Sequence, residues 1–238
     1  MELLPSRRTR YLLLFVSLLA MVGLIEALAK AVAGYGGLGF AVTLWACFGA
    51  AYAWLLLEPM VRPMLLMRRA VHDGSERRVR EIGAGMAQDS GTANPKFYVY
   101  DSDRFDVMVS GIGRGVTILV SGAAAELDER RLRSILAHEF GHIKLRHAVI
   151  RLTMYGSLLT LAILGQSVTA VVLPANLFVL WTMRQMEFAA DRDAARVVGR
   201  DNVREALEHV GSVLGDIPGW QSAFSTHPTF RDRIARMR

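Results

Sequence analysis

The chain has 238 residues, 52% of them hydrophobic, with a mean hydropathy of +0.28; that is enough for one domain of ordinary size plus membrane-spanning material, and a poor match for a purely soluble domain. The formal charge of +6 comes mostly from arginines spread along the chain, with no basic run interleaved with aromatics, so no nucleic-acid partner is expected. A single cysteine, Cys47, excludes an intramolecular disulfide framework and a Cys-rich metal cluster, leaving His, Asp and Glu to hold any metal.

In chain order, the first feature is "YLLLFVSLLAMVGLIEALA", an apolar run of spanning length broken only by Glu26. A second, "FAVTLWACFGAAYAWLLL", follows the turn-like "GYGGLG" and ends at Glu58 and Pro59. The length of the first run and the presence of the second argue for retained helices, at about 11–30 and 38–57, rather than a cleaved signal peptide. Arg7, Arg8 and Arg10 precede the pair and Arg62, Arg68 and Arg69 follow it, while the connection offers only Lys30. By the positive-inside rule both ends of this hairpin, residues 1–60, lie in the cytoplasm. The multi-pass chain would then sit in the cytoplasmic membrane, with residues 61–238 as a domain on its cytoplasmic side. Glu26 is four residues from Lys30, the spacing of an interfacial ion pair.

Beyond the hairpin, "ERRVREIGAGMA", 76–87, has an amphipathic helical pattern, and "DSGTANP" is a loop by its Gly, Asn and Pro content. Three short β-forming runs come next, "KFYVYD", "FDVMVSG" and "GVTILVSG", which suggest a small antiparallel meander. The glycines of "GIGRG" lie between two of these strands and lead into no helix, so they read as a hairpin turn rather than a phosphate loop. From Asp128, a capping residue, a helix is expected to run through "LRSILAHEFGHIKLRHAVIRL" with an apolar stripe of Leu132, Leu136, Ile143 and Val149 or Ile150.

A third apolar stretch, Leu152 to Met183, holds no Asp, Glu, Lys or Arg and is interrupted by Pro174. A single crossing takes about 20 residues and a crossing with return about 40, so this stretch is too short to leave and come back as two spans. One crossing, a re-entrant or membrane-surface helical hairpin, and a hairpin packed on the domain all remain open. Further helices should carry "MRQMEFAADRDAARVVG" and "NVREALEHVGSVLG" ahead of the tail "STHPTFRDRIARMR".

The chemistry gathers at "HEFGH". Positions four apart on a helix project from one face, so His138 and His142 can offer an imidazole nitrogen to the same ion. Zinc suits such a pair, since its catalytic sites take three protein ligands and leave a place for water. Glu139 is turned away from the ligand face and can reach that water as a general base. "EFAAD" supplies two more carboxylates four apart: Glu187 as third ligand and Asp191 as acceptor for the second nitrogen of a ligand histidine. Taken alone these acids would be an ordinary solvated helix face; with the upstream histidines they complete a shell for one Zn2+ per subunit. The charges around the motif, Glu129, Arg130, Arg131, Arg133, Lys144 and Arg146, keep this helix out of the bilayer and exclude a site buried in a membrane span. If His138 and Glu187 share an ion, the apolar stretch between them must return to the side it left.

"AHEFGHIKLRH", then "MRQMEFAAD", then "STHP" is similar to the M48 metallopeptidases, gluzincins that include HtpX-type membrane proteases, the CAAX-processing protease Ste24 and the mitochondrial protease Oma1. The resemblance covers most of residues 75 to 238, and the N-terminal hairpin fits the HtpX layout. It implies an α+β, mainly α, zincin-like (gluzincin) domain and a zinc metalloendopeptidase that hydrolyses protein or peptide substrates, membrane proteins among them, in membrane protein quality control and stress response. It implies His138, His142 and Glu187 as ligands, Glu139 as base and Asp191 behind a ligand. Arg184 matches a family arginine that orients carboxylates, and His227 a family histidine that donates to the oxyanion. "DVMVSG", Asp106 to Gly111, matches the edge strand that pairs with extended substrate, but departs from the family pattern "NAFATG". His147 is read as packing or support behind the ligands, and His72 and His209 as plain surface or helix histidines. The rival from a non-enzyme class is a zinc-binding pseudoprotease acting as a membrane scaffold or holdase, against which the intact Glu139 speaks.

Overall fold

The computed structural model describes residues 57–58, 61–164, 168–216 and 225–237, without side chains for 159–173. The apolar segments expected at about 11–30 and 38–57 lie, but for residue 57, outside the described residues. After the two-residue strand β1 (Ala70–Val71) come α1 (Gly74–Ser90), β2 (Lys96–Tyr100), β3 (Val107–Ser110), β4 (Thr117–Ser121) and the single turn α2 (Gly122–Ala125). Among the described residues five helices follow: α3 (Glu129–Lys144), α4 (His147–Leu164), α5 (Val168–Val198), α6 (Arg200–Leu214) and α7 (Phe230–Ala235).

The sheet is mixed, in the order β1-β2-β4-β3, rather than the antiparallel meander expected from three successive strands. β4 pairs parallel with β2 and antiparallel with β3. Burial explains the choice. Every residue of β4 is buried, as are Phe97, Val99 and Tyr100 of β2, whereas all four residues of β3 are half-buried. A strand buried on both faces, β4, belongs in the middle of a sheet, and the half-exposed β3 at its edge. The "GIGRG" glycines form the turn from β3 to β4, as expected. Gly111 has φ of +89°, and a Cβ there would stand 2.3 Å from Gly115 O.

α1 begins earlier than the apolar pattern suggests because Asp73 accepts hydrogen bonds from Ser75 N and Glu76 N. Asp128 caps α3 in the same way through Arg131 N. Val79 and Met86 of α1, Phe97 and Val99 of β2, Ile118 and Val120 of β4, and Leu132, Leu136 and Phe140 of α3 form the main core. α3 is thus embedded on one side by its apolar stripe, leaving its other side to α5.

α3 does not continue to residue 152. It stops at Lys144, Arg146 takes a positive φ of 53°, and α4 starts at His147. Val149 and Ile150, expected on the buried stripe, are exposed on α4. α4 and α5 are separated by three residues in sequence and share a second apolar cluster, Tyr155 and Leu158 with Val179, Met183 and Met186. The apolar stretch is therefore a helix pair that leaves α3 and comes back to it, and Pro174 lies inside α5 without ending it. Among the described residues no helix is long and apolar enough to cross a membrane.

Candidate metal centre

His138 and His142, one turn apart on α3, face α5 with their Nε2 atoms 3.1 Å from each other. Glu187 on α5 completes a triangle, with Oε2 3.4 Å from His138 Nε2 and Oε1 3.6 Å from His142 Nε2. Such close approach of the two helices is permitted by Gly141, whose missing Cβ would lie 3.0 Å from both Cα and O of Ala190. A tetrahedral zinc with bonds of about 2.0–2.1 Å sets its donors about 3.3–3.4 Å apart. The closest approaches of the three side chains lie near that spacing, one donor atom from each falls within 4.8 Å of the others, and two imidazoles with one carboxylate are a zinc donor set, so the residues fit the ion. These are also the residues whose donor atoms could hold a metal ion together.

Asp191 sits one turn after Glu187, fully buried, with Oδ1 2.8 Å from His138 Nδ1. It therefore accepts from His138 and leaves Nε2 to face the triangle. Burial by itself would raise its pKa, but the hydrogen bonds and charge of Arg233, followed by His138, hold it at about 2. Arg233, on α7, donates from Nη2 to Oδ1 at 2.6 Å and from Nε to Oδ2 at 2.8 Å, and its Nη1 is 3.7 Å from Glu187 Oε2. Sequence reasoning missed this residue. The available signal was indirect: a buried aspartate facing only a neutral imidazole lacks a counter-charge, yet nothing singles out Arg233 among its neighbours Arg231 and Arg236.

The remaining expected residues also converge here. Glu139 is half-buried on α3, and burial pushes its carboxyl up to about 7, opposed by the charge of His138 and reinforced by Glu187 and Asp106. Asp106 directly precedes β3, which packs against α3; the edge strand is thus close to the motif. His227 Nδ1 is 3.0 Å from Glu187 Oε1, placing it at the site rather than on a remote turn. Arg184 donates from Nε to Ser225 O at 3.2 Å, and Ser225 Oγ accepts from His227 N at 3.2 Å, so Arg184 holds the turn that carries His227. Burial would raise Glu187, but His227, His138 and His142 keep it well below the usual carboxylate range. His147 is buried against His142, and burial depresses its pKa to about 4. His72 lies away from this group and pairs with Glu76 at 2.9 Å.

A histidine pair on one helix facing a glutamate and an aspartate on another, with a small mixed sheet alongside, defines a zincin-like peptidase domain. A family model described as Peptidase family M48 matches residues 74–238; the chain belongs to that family. The Protease HtpX of Nitrosococcus oceani is 24% identical, with 68% of each chain covered. A Protease HtpX homolog of Verminephrobacter eiseniae is 26% identical over 84% of each. In three dimensions the chain is similar to the crystal structure of S. mikatae Ste24p, with a TM-score of 0.55 and 15% identity over 97% of this chain. It spans 65% of the length of that protein, and the likeness is one of fold.

Proposed function

We propose that the chain is a zinc-dependent endopeptidase, anchored in the cytoplasmic membrane by residues 1–60 and active on the cytoplasmic side. The observation that carries this reading is the convergence of His138, His142 and Glu187, whose donor atoms lie within 4.8 Å of one another, beside a carboxyl of raised pKa.

His138 Nε2, His142 Nε2 and a Glu187 oxygen would hold the zinc ion, which would acidify a water and polarise a peptide carbonyl. Glu139 takes the proton of the attacking water and passes it to the leaving amine, a task matched to a carboxyl near 7. His227, with Nδ1 on Glu187 and 43% of its side chain exposed, donates to the oxyanion. Arg184 keeps His227 there through Ser225. The outer edge of β3 supplies backbone groups that align an extended peptide across the cleft, a role that survives the change from "NAFATG" to "DVMVSG" because it uses main chain. Membrane proteins in need of turnover are the substrate class that the membrane anchor and the relatives named HtpX suggest.

The test is purification of the full chain in detergent, metal analysis, and casein or self-cleavage assays of the protein and Glu139→Gln. Zinc at one per chain with activity lost in Glu139→Gln supports the reading; full activity in the variant sinks it. Bound zinc without activity in the unaltered chain would favour a scaffold or holdase. A reporter fused at the C-terminus tests topology separately: an extracytoplasmic signal would contradict the cytoplasmic placement.

A further inference from the structure

The break between α3 and α4 is short and braced on both sides. Leu145 N donates to Gly141 O at 3.0 Å and Arg146 N to Ile143 O at 3.1 Å, while Val149 N and Ile150 N both return to Arg146 O at 3.0 and 3.2 Å. At its centre Arg146 has φ of 53°, the left-handed region that residues other than glycine, asparagine and aspartate seldom adopt. A residue of this kind persists only where its surroundings over-determine it. The outcome of the bend is specific. His147, the first residue of α4, is buried and faces back onto His142, with the two rings edge to face, centroids 4.8 Å apart and Nδ1 atoms 2.7 Å apart.

Two ring nitrogens at that distance share a single proton, so one ring donates and the other accepts. If His142 binds an ion through Nε2, the direction is fixed, because a neutral imidazole that offers its Nε2 lone pair carries its proton on Nδ1. We infer that His147 is a positioning residue for the metal site: its Nδ1 accepts the Nδ1–H of His142 and so fixes the tautomer and ring plane of that ligand. The inference rests on the zinc reading above.

The two histidines of the motif are then held in parallel but by different chemistry. Asp191 accepts from His138 Nδ1 at 2.8 Å with a full charge; His147 accepts from His142 with a neutral ring. The carboxylate comes from α5 and the imidazole from α4, so both helices of the apolar pair brace the ligand histidines, α4 through His147 and α5 through Asp191. Arg146 is the residue whose conformation lets α4 do so.

A mere packing role for His147 would depend on its shape, and the accepting role depends on its chemistry. Leu and Asn have similar size, but the Oδ1 of Asn can occupy the place of the histidine Nδ1 and accept there. The experiment uses the full chain in detergent with the Glu139→Gln substitution, which removes self-cleavage, and titrates zinc against a chromophoric chelator. His147→Leu should weaken zinc binding by about 10–100-fold, the effect typical of losing a hydrogen-bond partner behind a ligand, while His147→Asn stays close to the parent. Equal binding by His147→Leu and the parent, or equal losses in both variants, would overturn the inference with the zinc reading intact. A parent that binds no zinc would remove the zinc reading itself. As a measurement independent of variant folding, 15N-labelled histidine in the zinc-loaded parent should show His142 protonated at Nδ1 and His147 at Nε2; protonation of His147 at Nδ1 would overturn the assignment.

Discussion

Asp191 and Arg233, 42 positions apart in the chain, meet in a two-point hydrogen-bonded ion pair at 2.6 and 2.8 Å, buried directly behind His138. The same Asp191 oxygen that accepts from Arg233 Nη2 also lies 2.8 Å from His138 Nδ1. The last helix of the chain is thereby connected to the first histidine of the motif through one carboxylate.

Removing the cation from this pair leaves a buried, uncompensated charge, which destabilises a protein by about 3–5 kcal/mol. Arg233→Met should therefore lower the denaturation midpoint strongly, and Arg233→Lys, which keeps the charge but not the two-point geometry, should fall between the two. Unfolding of the detergent-solubilised chain followed by circular dichroism measures this; an Arg233→Met midpoint equal to that of the unaltered chain would contradict it.

The low pKa of Asp191, about 2, predicts an acid dependence of stability. A carboxylate depressed in the folded state contributes stability that is fully present above its unfolded value, about 4, and is lost as pH falls through about 2. With a shift of this size the contribution is about 2 kcal/mol. The metal-free chain should lose it between pH 4 and 2, and Asp191→Asn should show a flatter profile there.

Glu139 has the opposite sign. Its carboxyl is raised to about 7, so between its unfolded value and 7 the folded chain retains a proton that the unfolded chain releases, and stability falls as pH rises through that window. Glu139→Gln removes the penalty. The metal-free variant should be more stable than the unaltered chain at pH 8, by up to about 3 kcal/mol, and no more stable at pH 4. In catalysis the same group must be ionised to act as a base, so kcat/KM should decline on the acid side with a midpoint at or below about 7, since a cation beside it lowers the pKa further. Equal stability of both proteins at pH 8 would show that the carboxyl carries no such burden.

The parts of this site that were legible in the sequence are those set by local geometry. His138 and His142 share a face because of helical spacing, Glu187 and Asp191 do so for the same reason, and Asp128 caps the helix that carries the pair. What the sequence left open depends on contacts between distant segments. The parallel pairing of β2 with β4 places the fully buried β4 inside the sheet, a burial that only the packed structure shows. Arg233 resembles its neighbours Arg231 and Arg236 in sequence and differs from them in being buried against Asp191. The end of α3 at Lys144 was hidden because "IKLRHAVIRL" contains no glycine or proline; the left-handed residue there is an arginine.

Gly141 links packing to metal binding. Replacing it with alanine adds helix propensity worth up to about 1 kcal/mol, but places a methyl group 3.0 Å from the Cα and O of Ala190, and overpacking of this kind destabilises by about 1–3 kcal/mol. The backbone of α5 cannot rotate away as a side chain can, so α3 and α5 must separate by several tenths of an ångström at the point where His142 faces Glu187. Gly141→Ala should therefore show a small net loss of stability and a distinctly larger loss of zinc affinity, because ligand spacing is more sensitive to such a shift than the core. Paired unfolding and chelator-competition measurements separate the two. An alanine variant that gains stability and binds zinc as tightly as the unaltered chain would show that the helices do not need this contact.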